Sequence, residues 1–243
     1  MPAIPNQLPL GEHPEEREGI SSPFVAIEAI LRQPRRVIYQ LRQSGAGRLI
    51  AGMVFVSLVC SLVYGIVVGS FSMGSQLWAA PVKVAGGLMI SALICLPSLY
   101  IFTCLSGSRA RLIEICGLIS GLLMLMTILL VGFAPVAWLF SQCTESSVWI
   151  GALHLSFWSI ATCFGLRFLI SGFSHSQARA TAGLNTWIVI FILVSVQMTT
   201  ALRPILGKGE SFLANDRKLF LNHWADCIRS GQASPDNAAL NRK

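Results

Sequence analysis

Few side chains in this 243-residue sequence could do chemistry, and those few are scattered. His154 and Gln197 stand inside long apolar runs, with Thr199 and Thr200 just beyond Gln197. A polar or ionisable group in such a run is a candidate for a proton relay, an ion path or a substrate contact. The same groups serve equally well as hydrogen-bond links between helices. A proton or ion pathway calls for several acidic groups, and none of the runs contains Asp. Glu114 lies at the edge of one run, three residues after Arg111, placed for a local ion pair.

The seven cysteines, Cys60, Cys95, Cys104, Cys116, Cys143, Cys163 and Cys227, form neither a CxxC nor a haem-attachment pattern. Most fall in apolar runs, where Cys behaves as a small hydrophobe. Cys143 and Cys227 fall outside them, and the topology below puts both on the external side. A disulfide between them is one expectation, and two free thiols the other. His223 and Cys227 share a helical face, but two ligands do not make a zinc site. Nucleotide, P-loop, HExxH, GxSxG and kinase signatures are missing. The expectation is therefore no catalytic residue, no metal and no other cofactor.

Composition explains the shortage. Hydrophobic residues make up 53% of the chain and charged residues 12%, about half the charged share of an ordinary soluble domain. This excludes a secreted disulfide scaffold and a disordered chain. It also excludes a soluble nucleic-acid binder, despite the net charge of +7. A bilayer core of roughly 30 Å needs about 20 helical residues, and five segments qualify. They are Leu49 to Ser70, Val82 to Phe102, Ile113 through Pro135 to Phe140, Val148 to Ile170, and Leu184 to Leu202. Strand alternation, which a barrel requires, is absent.

The flanks carry their own patterns. Met1 to Ser22 is rich in Pro and Glu and reads as a disordered tail, 1–22. Over 23–45, Phe24, Ile27, Ile30, Leu31, Val37, Ile38 and Leu41 recur at helical spacing, with a break or kink at Pro34. Arg32, Arg35, Arg36 and Arg42 occupy the other side, which predicts a basic helix lying on anionic lipid headgroups. The spans and their connections occupy 48–205. In the tail, 206–243, a short amphipathic helix is expected from about residue 214 to 229, with Phe220, Trp224, Cys227 and Ile228 on one face.

Basic residues orient the chain. Those before the first span, with Arg109, Arg111, Arg167 and Arg179, outnumber Lys83, Arg203, Lys208, Arg217 and Lys218 on the alternate side. The N-terminus is expected in the cytoplasm and the tail outside, in a bacterial inner membrane. Trp78, Trp138 and Trp149 then sit at the outer interface, Trp187 at the inner one, and Trp158 within the bundle. Gly65 and Gly69, and Gly117 and Gly121, form GxxxG pairs that let helices approach closely. They serve packing within the chain or a homodimer face.

The order of parts resembles the Yip (Ypt-interacting protein) family and its bacterial relatives over about residues 24 to 205. The stretch Ala26-Ile27-Glu28-Ala29-Ile30-Leu31-Arg32-Gln33-Pro34-Arg35 looks like the pre-membrane segment of the bacterial members. The long tail and the stretch Gly74 to Ala85 depart from that pattern. The resemblance implies a membrane-organising role without catalysis and carries no active-site residues across.

The expected fold is an all-α polytopic membrane protein. It is a five-transmembrane-helix bundle with an amphipathic N-terminal helix and a short amphipathic C-terminal helix. The expected function is a non-enzymatic membrane scaffold, assembly factor or accessory subunit. Its partners would be the lipid bilayer and other membrane proteins or copies of itself, and not nucleic acid. A small oligomeric channel or transporter, lined by His154 and Gln197 and broken at Pro97 and Pro135, is the alternative.

Overall fold

A computed structural model describes residues 10–72, 76–105, 110–143, 147–174 and 182–201. Among the described residues all regular elements are helices. Three short ones, α1 (Pro14–Arg17), α2 (Pro23–Arg32) and α3 (Pro34–Gln40), precede five long ones. The long helices are α4 (Ala46–Ser72), α5 (Gln76–Leu105), α6 (Leu112–Cys143), α7 (Ser147–Ser174) and α8 (Ala182–Ala201). Four of these, α4 to α7, are long and apolar enough to cross a membrane. The arrangement is that of an α-helical membrane protein.

Each of the three short helices starts on a proline in its first turn, where the missing N–H costs nothing and φ is already helical. Ser22 caps α2 by accepting a hydrogen bond from the Val25 amide. Gln33 ends α2 and Pro34 starts α3, so the amphipathic stretch is two helices rather than one. Gly45, at φ 110°, turns the chain from the end of α3 into α4. Inside α5 and α6, Pro81, Pro97 and Pro135 are accommodated without ending the helices.

Helix α6 is the centre of the bundle. Its most apolar stretch is two-thirds buried, twice the share of α4, α5 or α7. Ile115, Leu122, Met124, Met126 and Leu130 are each almost fully buried along it. α4 covers one side and α7 another; α5 packs on α4, and α8 on α5. Gly121 meets the Phe168 ring, Gly165 meets Met126 and Leu122, and Gly172 meets Leu118. These contacts, with the stacked rings of Phe133 and Phe157, run α6 and α7 antiparallel. Small residues permit that approach, since no hydrophobic effect drives helices together in lipid.

The N-terminal region departs from expectation in two ways. Residues 10–22, part of the expected disordered tail, carry α1 and pack on α3. The amphipathic face of α2 and α3 turns inward as well. Ala26, Ala29, Ile30, Val37, Ile38 and Leu41 are buried, and α2 packs against α4 and α6. The face expected on lipid headgroups is thus used on the end of the bundle. The reason is chemical equivalence: a helical apolar stripe is satisfied by protein as well as by lipid. Only Phe24, 83% exposed, and Leu31, 47% exposed, remain on the outer side of α2.

Candidate functional site

The polar side chains gather in two places, one at the N-terminal cap and one within the bundle. At the cap, Glu16 is nearly buried and accepts hydrogen bonds from the Gly11 amide and from Arg35, whose Nε lies 2.7 Å away. Burial raises the Glu16 pKa, but the Gly11 amide and the Arg35 guanidinium outweigh it and hold the carboxyl below its ordinary range. Arg36 donates to the Glu18 carbonyl (3.1 Å) and pairs with the Glu18 carboxylate (3.4 Å). Gln40 Nε2 donates to the same Glu18 carbonyl at 3.1 Å. Arg17 turns back to the Gly11 carbonyl at 2.8 Å. The result is a latch that fastens residues 11–19 across α3.

Of the four arginines expected at the membrane surface, Arg35 and Arg36 are therefore committed to this latch. Arg32 pairs with Glu28 at 3.0 Å in full view of solvent, an interaction worth little. The Arg42 carbonyl accepts from Arg111 Nη2 at 3.0 Å, which ties the end of the cap to the start of α6. Arg111 also pairs with Glu114 at 2.9 Å. Beside this tie, Leu41 fills the space that a Cβ on Gly117 would take.

The glycine pairs divide their work within the chain. Gly65 lets the backbone of Ala80 and Pro81 approach α4, with Pro81 N only 2.9 Å from where a Cβ would stand. Gly117 receives Leu41, and Gly121 receives Phe168. Gly69 is buried. For Gly65, Gly117 and Gly121 the partner is in the same chain, not across a homodimer face.

Within the bundle, His154 on α7 has its ring edge-on to Tyr64 of α4, and the Tyr64 hydroxyl and His154 Nδ1 are 2.7 Å apart. Removing that hydroxyl tests the bond's worth. Tyr64→Phe is expected to cost about 0.6–1.7 kcal/mol of bundle stability, read as a lowered unfolding temperature in detergent. No change would mean that the two rings are held by packing alone. Gln197 belongs to α8, but its side chain is outside what the structure describes. Other hydroxyls in the spans bond to their own helices, as Ser57 to the Met53 carbonyl, Ser61 to Ser57, and Thr127 to Leu123. The Thr162 hydroxyl is buried without a hydrogen-bond partner.

Three placements were missed from sequence. Lys83, counted as a loop-edge charge, is 1% exposed inside α5. Trp187 is not an interfacial anchor but fully buried: it stacks on Phe191 and donates from Nε1 to the Cys95 carbonyl at 2.9 Å. Cys143 is the last residue of α6 rather than part of a loop, and it is exposed; Cys227 and the expected tail helix lie outside the described residues. Trp78, Trp138 and Trp149 are exposed near the ends of α5, α6 and α7, as interfacial residues would be. Among the described residues no three His, Cys, Asp or Glu side chains meet as a metal site requires. No protein-family model, curated protein or solved structure matches the chain.

Proposed function

We propose that this protein is a non-enzymatic membrane scaffold, assembly factor or accessory subunit of a larger membrane complex. The observation that carries the reading is the packing of α6. Its buried positions are filled mainly by Leu, Ile, Met and Ala, and the Thr127 and Ser57 hydroxyls are turned back onto their own helices. Such an interior supports holding and organising rather than conduction. The engagement of His154 by Tyr64 supports the same view, since a relay group must exchange partners.

In this reading α8 is the fifth span. Its 20 residues reach about 30 Å, the thickness of a hydrocarbon core, and it packs along α5. The N-terminal cap then lies in the cytoplasm of a bacterial cell, and the tail lies outside. The likeness to the Yip family in the order of its parts supports membrane organisation without catalysis.

The test is passive flux. Full-length protein in phosphatidylethanolamine–phosphatidylglycerol vesicles is expected to leak protons and potassium no faster than protein-free vesicles. A leak that His154→Ala abolishes would overturn the scaffold reading in favour of a channel.

A further inference from the structure

Helix α7 has two unlike faces. One carries Gly165, Phe168 and Gly172 and packs against α6. On the other, Ser156, Ser159, Cys163 and Arg167 follow one another at spacings of three and four residues, and all four are exposed, interleaved with the exposed apolar Ile160, Phe164 and Ile170. Residues so spaced share one helical face. α7 is also the least apolar of the four helices long enough to cross a membrane, and part of its polarity, Ser156, Ser159, Cys163 and Arg167, lies on the side that the bundle leaves open.

Lipid suits Ile160, Phe164 and Ile170 on that side but is a poor neighbour for its charge. Arg167 has no ion-pair or hydrogen-bond partner among the described residues, and it lies seven residues before Ser174, the end of α7. At 1.5 Å per residue that is about 10 Å of helix. The Cα–Cβ bonds of a helix tilt toward its N-terminus, so Arg167 leaves the backbone away from the nearer end. A charge held there is costly unless it is paired. The serine hydroxyls already bond to the carbonyls of Ala152 and Leu155 (2.9 and 2.8 Å). They offer small, smooth positions for close approach, not free donors.

We infer that the outward face of α7 docks a transmembrane helix of another protein. That helix carries an Asp or Glu at the depth of Arg167 and small residues opposite Ser159 and Cys163. Charge decides the occupant. A second copy in a two-fold arrangement sets Arg167 against Arg167. The carboxylate this chain carries in α4 to α8 is Glu114, already paired with Arg111 at the end of α6. This inference rests on the accessory-subunit reading and names the kind of partner it needs.

The test uses full-length protein in phosphatidylcholine vesicles with synthetic Leu/Ala single-span peptides. Each carries one Glu at the depth of Arg167, one peptide for each orientation, and each has a Gln counterpart. Energy transfer between labels reads binding. One Glu peptide is expected to bind about tenfold more tightly than its Gln counterpart, the size of an intramembrane polar contact. Arg167→Leu is expected to erase that preference and Arg167→Lys to keep part of it. With copper–phenanthroline and oxygen added as the oxidant, a cysteine on the peptide should form a disulfide with Cys163. Equal binding of the Glu and Gln peptides overturns the inference. So does retention of phosphatidylglycerol that depends on Arg167 without a Glu preference, which makes a lipid headgroup the occupant. Cys163–Cys163 cross-linking in peptide-free vesicles overturns it in favour of a second copy. None of these outcomes involves ion leakage, so failure here is separate from failure of the scaffold reading.

Discussion

Gly65→Val is expected to be the most damaging single substitution in the bundle. A Cβ at Gly65 would collide with the Pro81 Cα, with Pro81 N at 2.9 Å and the Ala80 carbonyl oxygen at 3.2 Å. All three atoms are backbone, so no rotamer change relieves the overlap, and α5 must move off α4. α8 moves with it, since Trp187 is fastened to the Cys95 carbonyl of α5. Forcing extra carbons into a packed contact costs about 1–3 kcal/mol, and the absence of any flexible neighbour puts Gly65 at the upper end. At Gly52 and Gly132 nothing lies within 4 Å of where a Cβ would stand, so Gly52→Val and Gly132→Val are the controls. Thermal unfolding in detergent measures the difference. Equal losses for all three variants would show that the α4–α5 contact is slack.

Opening of the N-terminal latch is the second large effect. Glu16→Ala removes the acceptor for Gly11 and leaves Arg35 without its 2.7 Å carboxylate. Hydrogen bonds to charged groups contribute about 1.5–3 kcal/mol. Amide exchange across residues 11–19 is therefore expected to rise by about thirtyfold, while exchange within α6 stays the same. Acid has the same effect by a different route. The folded-state pKa of Glu16 lies below its ordinary value of 4.5, so the latch is at full strength above that value. Its contribution is lost as the pH falls through the lower, folded-state pKa. Exchange at residues 11–19 that is indifferent both to Glu16→Ala and to acid would remove the latch from the structure.

The latch also shows what a sequence reading cannot reach. A four-residue helix has no stability of its own, and the Pro- and Glu-rich residues 10–22 read as part of a disordered tail. What orders them is Arg35, 19 residues further on, and no local pattern announces that pairing. Pro14 followed by Glu15 and Glu16 is the faint signal available, a helix start with acidic residues in its first turn.

The long helices were legible because hydropathy is a local sum. Leu49 to Ser70, Val82 to Phe102, Ile113 to Phe140 and Val148 to Ile170 lie inside α4, α5, α6 and α7, whose ends reach a few residues further. Backbone groups in lipid leave such segments no alternative to a helix. Leu184 likewise falls in α8, and the break at Pro34 follows from its ring and missing N–H. Sequence alone thus determined which long segments are helical and that the chain suits a membrane. Which faces meet was decided only in three dimensions. Lys83 and Trp187 are both buried although their types suit an interface. Leu41 rests on Gly117 from a helix expected to lie on lipid. Ser156, Ser159, Cys163 and Arg167 are left outside. The physical reason is that lipid and protein interior are nearly equal solvents for an apolar side chain. The choice between them falls to steric fit between small and large residues on different helices, and that fit exists only once the helices are side by side.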